Sequence, residues 1–356
     1  MCAHPRTTLA QVAAHAGVSP STASLAFSGS SRVTPDTRAR VLTAAEELGY
    51  AGPDPLAASL RRGRSGIVGT FVGERLLYAF RDPVAVQLLD GISEVLGPHG
   101  VGLLLLAGDT SRPGLDKLAR IPLDAAIFAT CGLEDDPALE LLSRRGVPLV
   151  GVEGPVADGV VLVDIDDRGG TAELARHLHD LGHRRVATIA MPLRLDGSRG
   201  PVDEARRALV HYRDVRHRME GVFDVFGHVP VVETASNAVD EGEWAGRVLL
   251  DVPESERPTA VIAQSDVLAS GVLRAAAQLG LRVPEDVSVA GFDGADLPWL
   301  HSTVLSTVVQ PTDEKGRTAA RAVVELLEGR RPADVSLPVT VRLGTTTGPP
   351  PVTVRS

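Results

Sequence analysis

The sequence predicts an all-α helix-turn-helix headpiece over residues 1–52, a hinge over 53–65, and a two-lobed α/β body of doubly wound parallel sheets. Three observations carry that prediction. Two cap-plus-proline signals, Ser19-Pro20 and Thr34-Pro35, open helices in the early part of the chain, because a Ser or Thr hydroxyl satisfies a first-turn N–H and proline lacks only a donor that is spare there. Gly52-Pro53-Asp54-Pro55 cannot lie inside a helix and sets that part off from the rest. From Gly66 onward, short β-branched runs alternate with longer helical stretches, as parallel strands joined by crossover helices require.

In the headpiece, Thr8 caps a first helix whose apolar positions Leu9, Val12, Ala13 and Ala16 follow the spacing of one helical face. Gly17 ends it. The second helix turns Ala23 and Phe27, with Val18 just outside it, toward a small core, and leaves Ser21, Thr22, Ser24 and Leu25 pointing away. The third runs through Val41, Leu42, Ala45 and Leu48 and stops at Gly49. A generic three-helix bundle would share those stripes. The tight glycine turn and the small polar face of the second helix favour one that enters the DNA major groove.

In the body, strands are expected at Ile67–Phe71, Val101–Leu106, Ala125–Ala129, Val147–Val152, Val186–Ala190, Val229–Val232, Ala260–Ala263 and Val287–Phe292. Helices are expected over Pro83–Leu96, Ala138–Arg145, Arg168–Leu181, Arg218–Phe226 and Val267–Leu279. Two doubly wound lobes put the carboxyl ends of both sheets beside one cleft, where such folds bind ligands.

Composition narrows the function classes. The 356 residues are 44% hydrophobic with a mean hydropathy of +0.08, and no run of 18 apolar residues would span a membrane. Met1 to Arg6 holds no apolar signal region, so a cytoplasmic location is expected. Cys2 and Cys131 form neither a metal-ligand spacing nor a disulfide framework. The net charge of −9 argues against nucleic acid until its distribution is read: residues 1–66 carry +3 and the remainder −12. No Gly-rich phosphate loop, zinc-protease motif or nucleophile elbow is present, so no catalytic residue, cofactor or metal is assigned. Asp164-Ile165-Asp166-Asp167 could hold a divalent cation, but reads better as a strand exit capping the next helix.

Thr8-Leu9-Ala10-Gln11-Val12-Ala13, Ala16-Gly17-Val18-Ser19, and Val33-Thr34-Pro35 through Leu48-Gly49-Tyr50 resemble the headpiece of the LacI/GalR family of bacterial transcriptional regulators. The similarity continues in Arg218-Met219-Glu220-Gly221, Gln264-Ser265-Asp266, Gly291-Phe292-Asp293 and Val309-Gln310-Pro311. It implies a periplasmic-binding-protein-like effector domain, with one lobe over 66–163 and 311–335 and the other over 164–310 and 336–356. It further implies a homodimeric repressor of double-stranded operator DNA, controlled by a small carbohydrate-like effector. The DNA-contacting positions would be Thr8, Ser19, Pro20, Ser21, Thr22, Ser24, Leu25, Arg32, Thr37 and Tyr50, with Ala57, Leu60 and Arg61 in a hinge helix that enters the minor groove. The effector positions would be Arg81, Asp82, Arg218, Ser265, Asp266, Asp293 and Gln310.

The chain departs from the family pattern at several places, Ser28 and Ser265 each standing where asparagine is usual. Leu25 stands where arginine is usual, so it offers a base edge only apolar contact. The segment 192–217 is longer than the family's loop and reads as exposed. Among the few rings, Phe80, Trp244, Phe292 and Trp299 are expected in the core rather than against a sugar. Helix Pro83–Leu96 is apolar on more than one face, which fits the family's subunit contact, while the tail after Arg342 lacks a tetramerising heptad. The readings that compete with an effector-controlled regulator are a ligand-independent DNA binder, a sugar-capturing binding protein and an enzyme fused to a DNA module.

Overall fold

The computed structural model describes residues 7–52, 63–73, 76–108, 111–129, 133 and 135–351. The chain forms two units, Met1–Gly66 and Ile67–Ser356.

The first unit is three helices, α1 (Leu9–His15), α2 (Pro20–Phe27) and α3 (Pro35–Glu47). Each begins on a hydroxyl cap. Thr8 and Gln11 form a reciprocal capping box, Ser19 Oγ accepts from Thr22 N at 3.1 Å, and Thr34 Oγ1 accepts from Thr37 N at 3.3 Å. Gly17, at φ +64°, takes the left-handed conformation that lets α2 start after only four intervening residues once α1 stops. The core is Val12, Ala13, Ala23, Ala26, Val33, Val41, Ala44 and Ala45, mostly small side chains that let the helices approach closely. Leu42, expected in this core, is 46% exposed, and Ala44 takes the inward position. The predicted hinge residues Ala57, Leu60 and Arg61 lie outside the described residues.

The second unit holds two sheets. The first lobe is built from β1 (Ile67–Phe71), α4 (Pro83–Leu96), β2 (Gly102–Leu106), α5 (Arg112–Leu118), β3 (Ala125–Phe128), α6 (Pro137–Arg144), β4 (Leu149–Val152) and β5 (Val160–Ile165). The chain then passes into the second lobe, with α7 (Asp167–Asp180), β6 (Val186–Ala190), β7 (Gly200–Pro201), α8 (Glu204–Arg207), α9 (Arg213–Phe226), β8 (Val231–Glu233), α10 (Val239–Leu250), β9 (Ala260–Ala263), α11 (Asp266–Gln278), β10 (Ser288–Asp293) and β11 (Ser306–Val309). It returns through Gln310-Pro311 to α12 (Thr312–Leu327) and β12 (Val335–Leu337), and crosses once more to β13 (Thr340–Arg342). The sheets run β12-β5-β4-β3-β1-β2 and β13-β11-β10-β9-β6-β8-β7. The first is parallel throughout, and the second is parallel apart from its two edge strands, β7 and β13. Strand order reverses between β1 and β3 and between β6 and β9, and each reversal opens a crevice at the strands' carboxyl ends.

Helices α5, α8, α10 and α12 were not expected. Gly242 and Gly246 make the α10 sequence look broken, yet they are what allow it to lie against α11: a Cβ on Gly242 would sit 2.3 Å from Leu268 O. The same device joins α4 to α12, where a Cβ on Gly91 would sit 2.1 Å from Asp313 O and one on Gly316 2.2 Å from Leu88 O. The second apolar face of α4 is therefore spent on α12, through Leu88, Ile92, Ala319, Ala320 and Val323, leaving Val86 as its exposed apolar residue. The predicted strand at Val229–Val232 is shifted to β8, because Pro230 has no N–H for the ladder.

Segment 192–217 is exposed over much of its length, as expected, with Leu195 and Leu209 open to solvent, yet it is anchored to the second lobe. Leu193 is fully buried, β7 pairs antiparallel with β8, and the Arg206 fork grips both oxygens of Glu233 at 2.7 Å. Replacing Gly316 by valine forces α12 off α4 and should destabilise the body by about 2 kcal/mol or more, within the range for overpacked cores. A lower urea midpoint with unchanged headpiece melting would show it, and an unchanged midpoint would refute the close-packing argument.

Candidate DNA-binding face and interlobe site

The N-terminal turn of α2 presents a knot of hydroxyls. Ser19 Oγ lies 2.8 Å from both Ser21 Oγ and Thr22 Oγ1 while capping the helix. Such hydroxyls donate and accept equally, and can exchange these local bonds for base edges or phosphate oxygens. Thr8, Ser19, Pro20, Ser21 and Arg32 are exposed; Thr22, Ser24 and Thr37 are half-buried. Thr37 Oγ1 accepts from Thr34 Oγ1 at 2.9 Å. Tyr50 is half-buried edge-on against Phe27, with centroids 5.6 Å apart, which ties the end of α3 to the end of α2. Leu25 does not simply point away as expected: it is half-buried and packs against the headpiece core, because α2 is short and offers that core little besides Ala23 and Ala26. An open groove of about 600 Å3 runs beside α3 near Val33, Pro35 and Leu42; it is too shallow to enclose a small molecule.

The polar centre of the body is Arg218, on α9 and 3% exposed. Its Nε donates to Asp167 Oδ1 at 2.7 Å, its Nη1 donates to Gln264 O at 2.7 Å and lies 3.5 Å from Asp293 Oδ1, and its guanidinium stacks on Phe292 at 3.7 Å. Asp293 ends β10 at φ +122°, a strained conformation for an aspartate that costs about 1–3 kcal/mol. Its Oδ1 accepts from Gln310 Nε2 at 2.7 Å. Gln310 Oε1 accepts from Lys315 Nζ, and Lys315 also donates to Glu153 Oε1 at 3.0 Å. Lys315 on α12 is 2% exposed and Glu153, just past β4, is 8% exposed. An unbroken chain of polar contacts thus runs from α7 through the crossover to the first lobe.

A second contact spans the lobes. Asp82 caps α4 through Val84 N and Ala85 N, and its Oδ2 accepts from Asn237 Nδ2 at 2.9 Å. Asn237 precedes α10, and its Oδ1 accepts from Ser265 Oγ at 2.5 Å while Ser265 caps α11. Asp266 is used within its own lobe: Oδ2 accepts from Ala295 N at 2.8 Å and Oδ1 from Thr307 Oγ1 at 2.6 Å. Arg81 is exposed. The structure thus brings Asp82, Ser265, Arg218, Asp293 and Gln310 into two interlobe networks, sets Asp266 beside them as a strut, and leaves Arg81 outside.

The carboxylates of the Asp164–Asp167 run each have protein partners. Asp164 accepts from Arg213 Nη1 at 2.7 Å, Asp166 caps α7 through Gly169 N at 2.8 Å, and Asp167 holds Arg218. Farther out, a cavity of about 310 Å3 opens between Leu133, Asp135 and Glu153 of the first lobe and His211, Arg213 and Arg216 of the second. Residues of the long 192–217 segment therefore form one wall of it.

Two of the rings expected in the core are not there. Phe80 is 66% exposed, in a short 3-10 turn two residues before Asp82, and Trp299 is 41% exposed. Trp244 is half-buried beneath Arg199, and Phe292 is in the core as expected. The sequence reading missed Asn237, Lys315 and Glu153. Position past the carboxyl end of a strand was the one available signal, and it applies to Asn237 and Glu153.

Burial pushes Asp167 up to about 7 despite Arg218, with the charges of Glu153 and Asp214 adding to the shift. Burial likewise pushes Asp266 up to about 7 against the hydrogen bonds from Thr307 and Ala295, and raises Asp293 well above the usual carboxylate range. Each group binds its proton more tightly folded than unfolded, where an aspartate titrates near about 3.9. Their contribution to stability is therefore greatest below about pH 4 and declines as pH rises to about 7. The urea midpoint should fall between about pH 4 and 7, and Asp266→Asn, which keeps an acceptor for Thr307, should flatten that slope. An unchanged slope in the variant would place the protons elsewhere.

Residues 8–52 match the model for bacterial regulatory proteins of the lacI family, and residues 175–347 match that for a periplasmic binding protein-like domain. The chain is 35% identical to an HTH-type transcriptional regulator of Mycolicibacterium smegmatis, over 98% of each chain. Among solved structures it is similar to a LacI-family regulator from Corynebacterium glutamicum, with 27% identity, 96% and 99% of the two chains covered and a TM-score of 0.72. It is also similar to the transcriptional regulator CelR in complex with cellobiose, with 29% identity, 96% and 100% covered and a TM-score of 0.66.

Proposed function

The chain belongs to the lacI family of bacterial regulatory proteins, and on that premise we propose that it is a homodimeric repressor whose operator binding is set by a sugar-like effector held between the two lobes. One observation supports the effector site above all: Arg218, Asp293 and Gln310 meet where the second lobe crosses into the first, beside the Asp82–Asn237 contact between lobes. A ligand there exchanges interlobe hydrogen bonds for its own, and so binds one closure state better than the other, which is what allosteric control requires. CelR takes cellobiose in its complex, and the cleft here has the acceptors and donors that hydroxyls need. Phe80, exposed beside Asp82, supplies an apolar platform against which a sugar face can stack.

In the headpiece, Ser19, Ser21, Thr22, Ser24 and Leu25 read the major groove, while Thr8, Thr37 and Tyr50 fix the helix on phosphates. Leu25, braced by the core, offers a thymine methyl an apolar contact where an arginine would hold guanine. Selected binding sites should therefore differ from those of a Leu25→Arg variant at one base position, with discrimination there of about 1–3 kcal/mol. A gain that is uniform across sequences would show that α2 does not read bases at Leu25.

The effector assignment is tested by thermal shift across a sugar panel, followed by operator binding with and without the stabilising sugar. A sugar that raises Tm should change operator affinity, and Arg218→Lys, which loses the forked geometry, should lose both responses. Full ligand affinity in that variant would remove Arg218 from the site.

A further inference from the structure

Two helix N-termini, one in each lobe, drain into a single carboxylate. Asp82 caps α4 in the first lobe, where its Oδ1 accepts from Val84 N at 2.8 Å and Ala85 N at 3.2 Å. Ser265 caps α11 in the second lobe, where its Oγ accepts from Leu268 N at 3.1 Å. Asn237 joins the two caps: its Nδ2 donates to Asp82 Oδ2 at 2.9 Å and its Oδ1 accepts from Ser265 Oγ at 2.5 Å. A carboxylate offers only lone pairs, so the amide nitrogen of Asn237 must face Asp82 and its oxygen must face Ser265. Donors therefore run one way, from Leu268 N–H through Ser265 and Asn237 to Asp82, where the N–H groups of α4 end as well. An ordered chain of this kind strengthens its own members, and the negative charge at its end suits the positive end of each helix.

Asp82 and Ser265 are buried, whereas Asn237 is half-buried, so solvent reaches the bridge at its middle member. The loop that carries Asn237 is itself held. Ala235 N donates to Glu241 Oε2 at 2.8 Å, and Glu241 Oε1 accepts from Arg199 Nη1 at 3.1 Å. Arg199 also lies over the Trp244 ring at 4.6 Å, and it belongs to segment 192–217, the stretch that is longer than the family's loop. The bridge is felt at the polar centre of the body too, because the Asp82 charge is one of those that raise Asp293.

Taking the interlobe region as the seat of control, we propose that Asn237 is the latch between the lobes. It is a positioning residue that sets the balance between their joined and parted arrangements, and hence operator affinity, with Arg199 and Glu241 as its brace. A hydrogen bond to a charged acceptor is strong enough to bias two arrangements by about tenfold to a hundredfold, and weak enough for a competing group to replace. The added length of 192–217 thereby gains a role: it holds the loop that presents the latch.

The test measures operator binding by the full chain, without added sugar, on the DNA sequence that the unaltered chain selects. Asn237→Ala cuts the bridge and Asn237→Asp sets two carboxylates face to face. Both should shift affinity in the same direction, by about tenfold or more. Asp82→Asn combined with Asn237→Asp reverses donor and acceptor: the new amide caps α4 through its oxygen, and its nitrogen donates to a carboxylate that still accepts from Ser265. That pair should return affinity to within about threefold of the original, which loss of folded protein cannot imitate. If Asn237→Asp does not fold, Asp82→Ser, which keeps a cap for α4 but not the second oxygen, is combined with Asn237→Ala; the double variant should shift no further than either single one. Unmoved affinity in the folded Asn237 variants, or a reversed pair that recovers nothing, overturns the latch. Arg199→Ala should act in the same direction and add nothing to Asn237→Ala, and an additive effect removes the brace. A reversed pair that recovers while glucose, galactose, ribose and cellobiose all leave Tm and operator affinity unchanged keeps the latch and sinks the sugar reading alone.

Discussion

Burying Arg218 is the constraint on which the body depends. A guanidinium taken out of water is tolerable only if its field is answered nearby, and removing one partner of such a pair costs about 3–5 kcal/mol. The answer is distributed among Asp167 on α7, the Gln264 carbonyl after β9 and Asp293 at the end of β10, so one side chain on α9 fixes the relative positions of three other elements. Asp293 in turn fixes Gln310, whose amide has one orientation only: its oxygen faces Lys315, and its nitrogen must therefore face Asp293. The crossover between lobes is set by a chain of donors and acceptors in which each member has its direction dictated by the next.

The lobes themselves are held differently. Gly91 against Asp313, Gly316 against Leu88 and Gly242 against Leu268 bring helix backbones close enough that no side chain fits between them. Packing of that kind has few alternative arrangements and makes each lobe a rigid body. Polar contacts between lobes can be exchanged for others of similar energy, as Asp82–Asn237 could be for a ligand hydroxyl. Rigid lobes joined by a replaceable polar seam are the physical basis for hinge motion driven by a small ligand.

Much of this was legible in the sequence. Strands β6 and β9 and helix α4 were placed at their observed bounds, since a fully buried parallel strand is a continuous apolar run and α4 opens on Asp82-Pro83. Three kinds of feature were not. The glycines of α10 read as breakers because their role is contact with α11, which no local pattern reveals. Lys315 and Glu153 lie 162 residues apart, and neither stands in a motif that announces a partner. Phe80 and Trp299 were placed in the core by aromatic habit, whereas short 3-10 turns on the surface expose them.

The headpiece raises a related point about specificity. A recognition helix usually combines one or two long charged side chains with smaller ones, and the long ones dominate discrimination. In α2 every outward group is short: three hydroxyl residues, with a leucine half committed to the core. Short side chains reach a base edge only when the helix sits deep, and their hydroxyl knot at Ser19 must open before it can bond to anything else. On the reading proposed for α2, depth has to be secured by phosphate contacts outside that helix, and the +3 charge of residues 1–66 favours them. On that reading, sequence preference would come less from any single bond than from how well the groove admits the whole helix, with the shape and deformability of the DNA read together with its bases.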